Sequence, residues 1–253
     1  MAILAGHHAV VTGGGRGIGR AVAHALSQAG AAVTVVGRAE ASLRETVSQG
    51  DASGYEVSDV TDAASVDSAI RRAVETRGPI TILIANAGGA ESAPFEKSSP
   101  DLFRRMFEVN TIGAVHTIQA VLGGMIARGF GRIVAVASTA GLKGYGYVSA
   151  YCAAKHAVVG LVRALAAETI KTGVTVNAVC PGYTDTDLVG ASLDRIVQAT
   201  GRSREEALAG MLKGSPLGRL IQPEEVAAAV LFLCLPDAAA ITGTALPVAG
   251  GEI

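Results

Sequence analysis

Short runs rich in Val, Ile and Ala alternate with longer Ala-rich amphipathic segments along this chain, and the alternation persists from one end to the other. The runs that read as strands cover residues 8–12, 32–36, 54–57, 81–86, 132–138, 174–180 and 244–248. Helical patterns cover residues 17–29, 40–49, 63–77, 99–109, 111–128, 150–172, 204–212 and 223–233. Strands that alternate with helices predict βαβ units, and therefore an α/β fold on a parallel sheet. The runs at Thr81 and Arg132 are nearly continuous in Ile, Val and Ala. Burial on both faces of a sheet requires that pattern.

No Pro/Ser/Gly-rich linker and no internal repeat divides the 253 residues, so residues 1–253 read as a single domain. The 49% hydrophobic share and 17% charged share exclude a disordered chain. A net charge of -1 offers no electrostatic case for nucleic acid or an anionic membrane. The start lacks the pattern of a signal peptide, and the apolar stretch at 226–235 is too short to span a bilayer. A soluble cytoplasmic protein is expected. Cys152, Cys180 and Cys234 are widely spaced and form no CxxC pair, so reduced thiols are expected. His7, His8, His24, His116 and His156 form no HxxxH or HExxH pair, and Asp185 and Asp187 do not make a metal site by proximity alone. No metal is expected. Residues 190–215 have mixed polarity and read as an insertion, the kind of segment that often covers a site as a mobile lid.

The first strand runs into Thr12-Gly13-Gly14-Gly15-Arg16-Gly17-Ile18-Gly19, and a helix follows at once. Glycines let the backbone turn sharply and approach a pyrophosphate, while the helix N-terminus offers free N–H groups and a positive dipole. The strand–glycine–helix context makes Gly13, Gly15, Arg16, Gly17, Ile18 and Gly19 candidate dinucleotide-binding residues. At the tip of the second strand, an NAD enzyme usually places Asp or Glu for the ribose 2′-hydroxyl. This chain has Gly37-Arg38 there. A guanidinium suits a 2′-phosphate, so NADP(H) is favoured, with NAD(H) as the alternative. Asp59 and Val60 follow the third strand, where Asp59 would meet the adenine amino group and Val60 its ring edge. Asn86, Ala87 and Gly88 end the fourth strand; Asn86 sits beside a nicotinamide ribose or serves as a hydrogen-bonding post between strands.

Ser138 ends the fifth strand, and Tyr151 and Lys155 follow one helical turn apart, so their heads converge on one face. Carbonyl reduction needs a hydride donor, an acid for the developing alkoxide and donors for the oxygen. A tyrosine has an ordinary pKa near 10, and a nearby ammonium favours its ionised form. Ser138 can hold the substrate oxygen. Asn110, at a break between two helical stretches, either anchors a water linking Lys155 to solvent or bonds the local backbone. Lys143, Tyr145 and Tyr147 lie in the loop before Tyr151, as pocket lining or as plain loop residues.

Taken together, residues 12–19, Asp59, Asn86-Ala87-Gly88, Asn110, Ser138, Tyr151-Cys152-Ala153-Ala154-Lys155 and Pro181-Gly182-Tyr183-Thr184-Asp185-Thr186 resemble the short-chain dehydrogenase/reductase family over nearly the whole chain. The resemblance implies a Rossmann-type, doubly wound sheet of seven parallel strands in the order 3-2-1-4-5-6-7. It implies Tyr151 as general acid/base, Ser138 as the group orienting the substrate oxygen, and Asn110 as the end of a proton relay. Lys155 would bind the nicotinamide ribose and lower the Tyr151 pKa. The 181–186 segment, with Pro181 and Gly182, would border the nicotinamide, the Thr184 backbone and Thr186 hydroxyl holding its carboxamide. A homotetramer is implied as well. Residues 158–168 and 216–225 resemble the 3-oxoacyl-thioester and polyketide ketoreductase branch. The first expectation is therefore an NADPH-dependent 3-oxoacyl reductase. A catabolic hydroxyacyl-CoA or secondary-alcohol dehydrogenase is the second. A cofactor-binding regulatory protein without turnover is the third, and the intact Ser138, Tyr151 and Lys155 argue against it.

Overall fold

The computed structural model describes residues 2–253. Seven strands form one sheet: β1 (His8–Thr12), β2 (Ala32–Gly37), β3 (Gly54–Val57), β4 (Ile82–Ala85), β5 (Gly131–Val136), β6 (Val174–Pro181) and β7 (Ala245–Val248). Their order is β3-β2-β1-β4-β5-β6-β7 and every pairing is parallel. This is the sheet that the resemblance implied. Successive side chains on a strand face opposite ways. Val10 accordingly enters one core cluster and Val11 the other. The helices are α1 (Gly17–Gln28), α2 (Glu40–Ser48), α3 (Ala63–Arg77), α4 (Pro100–Phe107), α5 (Gly113–Arg128), α6 (Ser149–Thr169), α7 (Asp187–Thr200), α8 (Arg204–Leu212) and α9 (Pro223–Cys234). One face of the sheet packs against α3, α5 and α6, and the other against α1, α2 and α9. The chain winds from β1 outward to β3, returns to β4 and continues the other way. That reversal opens a crevice at the carboxyl ends of β1 and β4, where open α/β sheets bind ligands.

The structure moves several expected boundaries. The runs at 81–86 and 132–138 leave the sheet after Ala85 and Val136, so Asn86 and Ser138 stand in the crevice rather than in the ladder. The break expected at Asn110 is not a helix end. Glu108–Ile112 forms a π-helical turn that joins α4 to α5, with the Gly113 N–H donating to the Glu108 carbonyl. One residue is inserted into a helix that continues. The 190–215 insertion is largely helical, and α7 begins before it, at Asp187. Two helices, Pro100–Arg128 taken as one rod and Ser149–Thr169, are long and apolar enough to cross a membrane; both pack on the sheet.

Candidate active site

At the end of β1 the Gly13 N–H donates to the Val36 carbonyl at 2.7 Å, and Gly13 turns the chain with φ +66°. Gly17 opens α1 with φ +51°. A Cβ at Gly19 would stand 2.2 Å from the Gly13 carbonyl oxygen, so only glycine lets the helix pack against the turn. No side chain caps α1: its N-cap, Arg16, makes no capping bond. The first N–H groups of α1 are thus left for an anion. Arg16 instead pairs with Asp187 at the start of α7, at 3.2 Å and well exposed. Ile18 is partly buried against the core on the α1 face. Gly15 lies over α2, where a Cβ would meet Ser42.

Thr12 and Asn86 lock β1 to β4. The Thr12 hydroxyl accepts the N–H groups of Asn86 and Ala87, each at 3.0 Å. The Asn86 amide donates to the Thr12 and Gly13 carbonyls at 2.9 and 3.3 Å. These bonds make Asn86 a post between strands, at the mouth of the crevice. Arg38 is 76% exposed at the tip of β2 and lies 3.8 Å from Asp59. Asp59 Oδ1 is occupied by the Thr61 N–H and hydroxyl. These bonds, the backbone one foremost, hold its carboxyl below the usual range, with Arg38 adding to the effect. Val60 is buried; a Cβ at Gly113 would stand 2.7 Å from its Cγ2.

Asn110 is pinned by the π-turn to the 88–89 loop. Its Nδ2 donates to the carbonyls of Gly89 and Met106, and its Oδ1 accepts the Gly89 N–H. Every one of those bonds goes to backbone, one to the preceding turn and two to the distant 88–89 loop. A Cβ at Gly88 would come 2.6 Å from Asn110 Oδ1 and 3.6 Å from Lys155 Nζ. Gly88 therefore brings Asn110 and Lys155 together.

Tyr151 and Lys155 project from α6. Lys155 Nζ donates to the Val136 carbonyl at 2.9 Å and stands 5.7 Å from the centre of the Tyr151 ring. The Tyr151 hydroxyl lies against Ser138. Ser138 Oγ already accepts the Ala140 N–H at 3.1 Å, which leaves its own proton free to donate. Burial dominates the electrostatics here. It pushes the Tyr151 phenol up to about 12, with Ser138 pulling the other way, and brings the Lys155 ammonium down to about 8. The sequence suggested that Lys155 would lower the Tyr151 pKa. Burial sets the direction of the shift instead, and Lys155 is not among the groups that move Tyr151.

The segment after β6 closes on the glycine turn. A Cβ at Gly17 would touch Thr186 Cγ2 at 3.1 Å. The Thr186 hydroxyl donates to the Thr184 carbonyl at 3.2 Å. Thr184 is buried, and it bridges to Ile221. Pro181 is the last residue of β6, and the Gly182 N–H donates to the Val248 carbonyl. One further residue enters this region without a signal in the sequence. Glu252 is bonded by Lys143 and Tyr145, and its carboxylate lies beside Gly182. The loop bearing Lys143 and Tyr145 drew notice for its place between Ser138 and Tyr151; nothing local marks Glu252.

A glycine turn that leaves a helix N-terminus bare, beside a Ser, Tyr and Lys at the mouth of a seven-stranded parallel sheet, defines a dinucleotide-dependent oxidoreductase. The model of the family described as short chain dehydrogenase matches residues 7–196. The chain belongs to that family. It is 38% identical over 249 residues to a putative ketoacyl reductase of Streptomyces coelicolor, covering 96% of this chain and 95% of the relative. It is 36% identical over 256 residues to a D-beta-hydroxybutyrate dehydrogenase of Cupriavidus necator, covering 99% of each. Among solved structures, a variant of actinorhodin polyketide ketoreductase with NADPH superposes with a TM-score of 0.93 at 36% identity, covering 97% of each chain.

Proposed function

We propose that this chain is an NADPH-dependent reductase of 3-oxoacyl thioesters, carried by CoA or a carrier protein. The observation that carries the proposal is the meeting of Ser138, Tyr151 and Lys155 beside the Gly13–Gly19 turn. The similarity to a ketoacyl reductase and to a ketoreductase solved with NADPH supports the substrate class and the cofactor. The bound nicotinamide would supply the hydride. Ser138, with its proton free, orients the ketone oxygen. Tyr151 donates the proton to that oxygen as negative charge develops on it. A phenol pushed up to about 12 stays protonated at neutral pH, as the reducing direction requires. Lys155 is brought down to about 8, so at pH 7 its ammonium remains charged for a ribose hydroxyl. Asn110 fixes the 88–89 loop beside Lys155, the end of the proposed relay to solvent.

The glycine turn would hold the pyrophosphate through Gly13, Gly15, Gly17, Ile18 and Gly19, with Arg16 beside it. Asp59 and Val60 would border the adenine. Asn86, Ala87 and Gly88 would border the ribose, and Pro181, Gly182, Thr184 and Thr186 the carboxamide. Arg38 stands free enough to turn from Asp59 toward a 2′-phosphate. We further propose a cytoplasmic homotetramer built through α5 and α6. Ile126 on α5 and Ile170 at the end of α6 stay exposed, apolar surface that a second copy would cover. The α7–α8 pair is proposed as the lid at about 190–215.

Two measurements test this. Tyr151→Phe is expected to lower kcat by about 10³-fold while NADPH binding stays within about twofold. Equal turnover would refute the chemistry. The wild type is expected to prefer NADPH over NADH in kcat/KM, and Arg38→Ala to reduce that preference by about tenfold. A wild-type preference for NADH would overturn the cofactor assignment. The similarity to a hydroxybutyrate dehydrogenase supports a second reading, oxidation of a hydroxy acid.

A further inference from the structure

Lys143 and Tyr145 lie in the loop between Ser138 and Tyr151, and both reach one carboxylate. Lys143 Nζ stands 3.1 Å from Glu252 Oε1 and donates to the Glu252 carbonyl at 3.3 Å. The Tyr145 hydroxyl lies 2.6 Å from Glu252 Oε1 and 2.7 Å from Thr139 Oγ1. A phenol has one proton, and a carboxylate only accepts. Tyr145 therefore donates to Glu252, and the Thr139 hydroxyl donates to Tyr145. Thr139 directly follows Ser138 in the chain. On the other side, a Cβ at Gly182 would come 3.1 Å from Glu252 Oε2. Tyr183 packs edge-on to Tyr145 at 6.2 Å. Burial foremost, and then Glu252 and Cys152, push the Tyr183 phenol up. The Glu252 side chain is 4% exposed. This cluster walls the crevice on the Ser138 side.

A free oxo acid carries a carboxylate close to its reacting ketone. Binding it requires a cation with bonding capacity to spare. On this wall the ammonium of Lys143 is already neutralised by a buried carboxylate. A second carboxylate would meet Glu252 and gain no unpaired partner. A thioester or ester of the same oxo acid has no such charge to place. We propose that the Lys143–Glu252 pair is a charge filter: it admits ketones whose acyl end is uncharged and rejects free oxo acids, with Glu252 as the specificity-determining residue. The filter rests on the reductase reading and deepens it, because it separates an acyl-thioester reductase from a hydroxy-acid dehydrogenase.

The test compares ethyl acetoacetate with acetoacetate, the same ketone without and with the charge. The quantity read is the ratio of kcat/KM for the two, in wild type, Glu252→Gln, Lys143→Met and the double variant. The wild type is expected to favour the ester by at least about tenfold, the equivalent of one modest charge interaction. Glu252→Gln frees Lys143 and is expected to shift the ratio about tenfold toward acetoacetate. Adding Lys143→Met should cancel that shift. Lys143→Met alone strips the carboxylate of its counter-charge and should move the ratio further toward the ester. That variant also decides the matter if Glu252→Gln fails to fold. A merely structural wall would slow both ketones alike and leave the ratio unchanged. A wild type that prefers acetoacetate, or a ratio that stays within about twofold in both single variants, overturns the filter. Absence of turnover with either cofactor would fail the reductase reading separately. The filter is then read from calorimetric binding of the two ketones to NADP⁺-saturated protein, by the same ratio. Failure of both ketones to bind would overturn it.

Discussion

Helices α6 and α7 border the same crevice and are held in opposite ways. The 21-residue α6 buries ten residues, among them Val158, Val159 and Val162 in the central cluster and Ala150 and Ala154 against α4. The 14-residue α7 buries only Leu193, and the nine-residue α8 buries only Ala207. What otherwise holds α7 and α8 is largely exposed: Arg16 with Asp187, Arg204 with Asp194, and Arg195 donating to the Ala90 carbonyl at 3.4 Å. Exposed ion pairs contribute little, typically about 0–1 kcal/mol each. The groups proposed to transfer the proton thus sit on an element anchored in the central core. The element that would cover the substrate can open locally, from the low end of the stability range.

The strongest attack on this contrast is made inside α6, at Lys155. Its ammonium is buried against the Val136 carbonyl, and burial brings its pKa from 10.5 to about 8. Below pH 8 the folded and unfolded chains are both charged at this position, and the burial penalty acts in full. Between about 8 and 10.5 the unfolded chain holds more protons, so stability rises with pH; above that range the penalty is gone. The shift corresponds to about 3 kcal/mol at neutral pH, offset in part by about 1 kcal/mol for the bond to Val136. Lys155→Met is therefore expected to lower turnover by about 10³-fold and still gain about 1–2 kcal/mol of stability at pH 7. Thermal unfolding at pH 7 and pH 9.5 checks this, and the gain should shrink at the higher pH. A destabilised variant at pH 7 would show that Lys155 braces α6 instead of burdening it.

The two regions also differed in how far the sequence revealed them. Gly13, Gly17 and Gly19 were legible because a turn, a helix start and a close packing contact all fall within seven residues of chain. Tyr151 and Lys155 were legible because one helical turn separates them. Asn86 and Asn110 were found as positions, but their partners were not. A helix end and a π-turn look the same in local propensity, and only the fold brings the Gly89 backbone to Asn110. The start of α7 was missed as well. Val189, Leu193, Ile196 and Val197 recur at helical spacing there, but the mixed polarity from residue 190 onward read as an insertion. Glu252 lay furthest from reach: 107 positions separate it from Tyr145, and it is tied to the site by long-range bonds alone.

The contrast can be sharpened by deleting comparable apolar bulk on each side of the crevice. Val162 is fully buried in α6, and Leu193 is 4% exposed in α7. Val162→Ala is expected to cost about 2 kcal/mol of global stability, a cavity in a core that cannot collapse around it. Leu193→Ala removes more carbon, yet its global cost should stay below about 0.5 kcal/mol, because a locally opened α7 already belongs to the native ensemble. The loss should surface elsewhere. Amides of α7 and α8 should exchange hydrogen faster than those of α6 in the wild type, and Leu193→Ala should speed exchange in α7 and α8 alone. A global loss in Leu193→Ala as large as that in Val162→Ala would mean that α7 folds as part of the core. The proposed lid would then have no independent motion with which to admit a substrate.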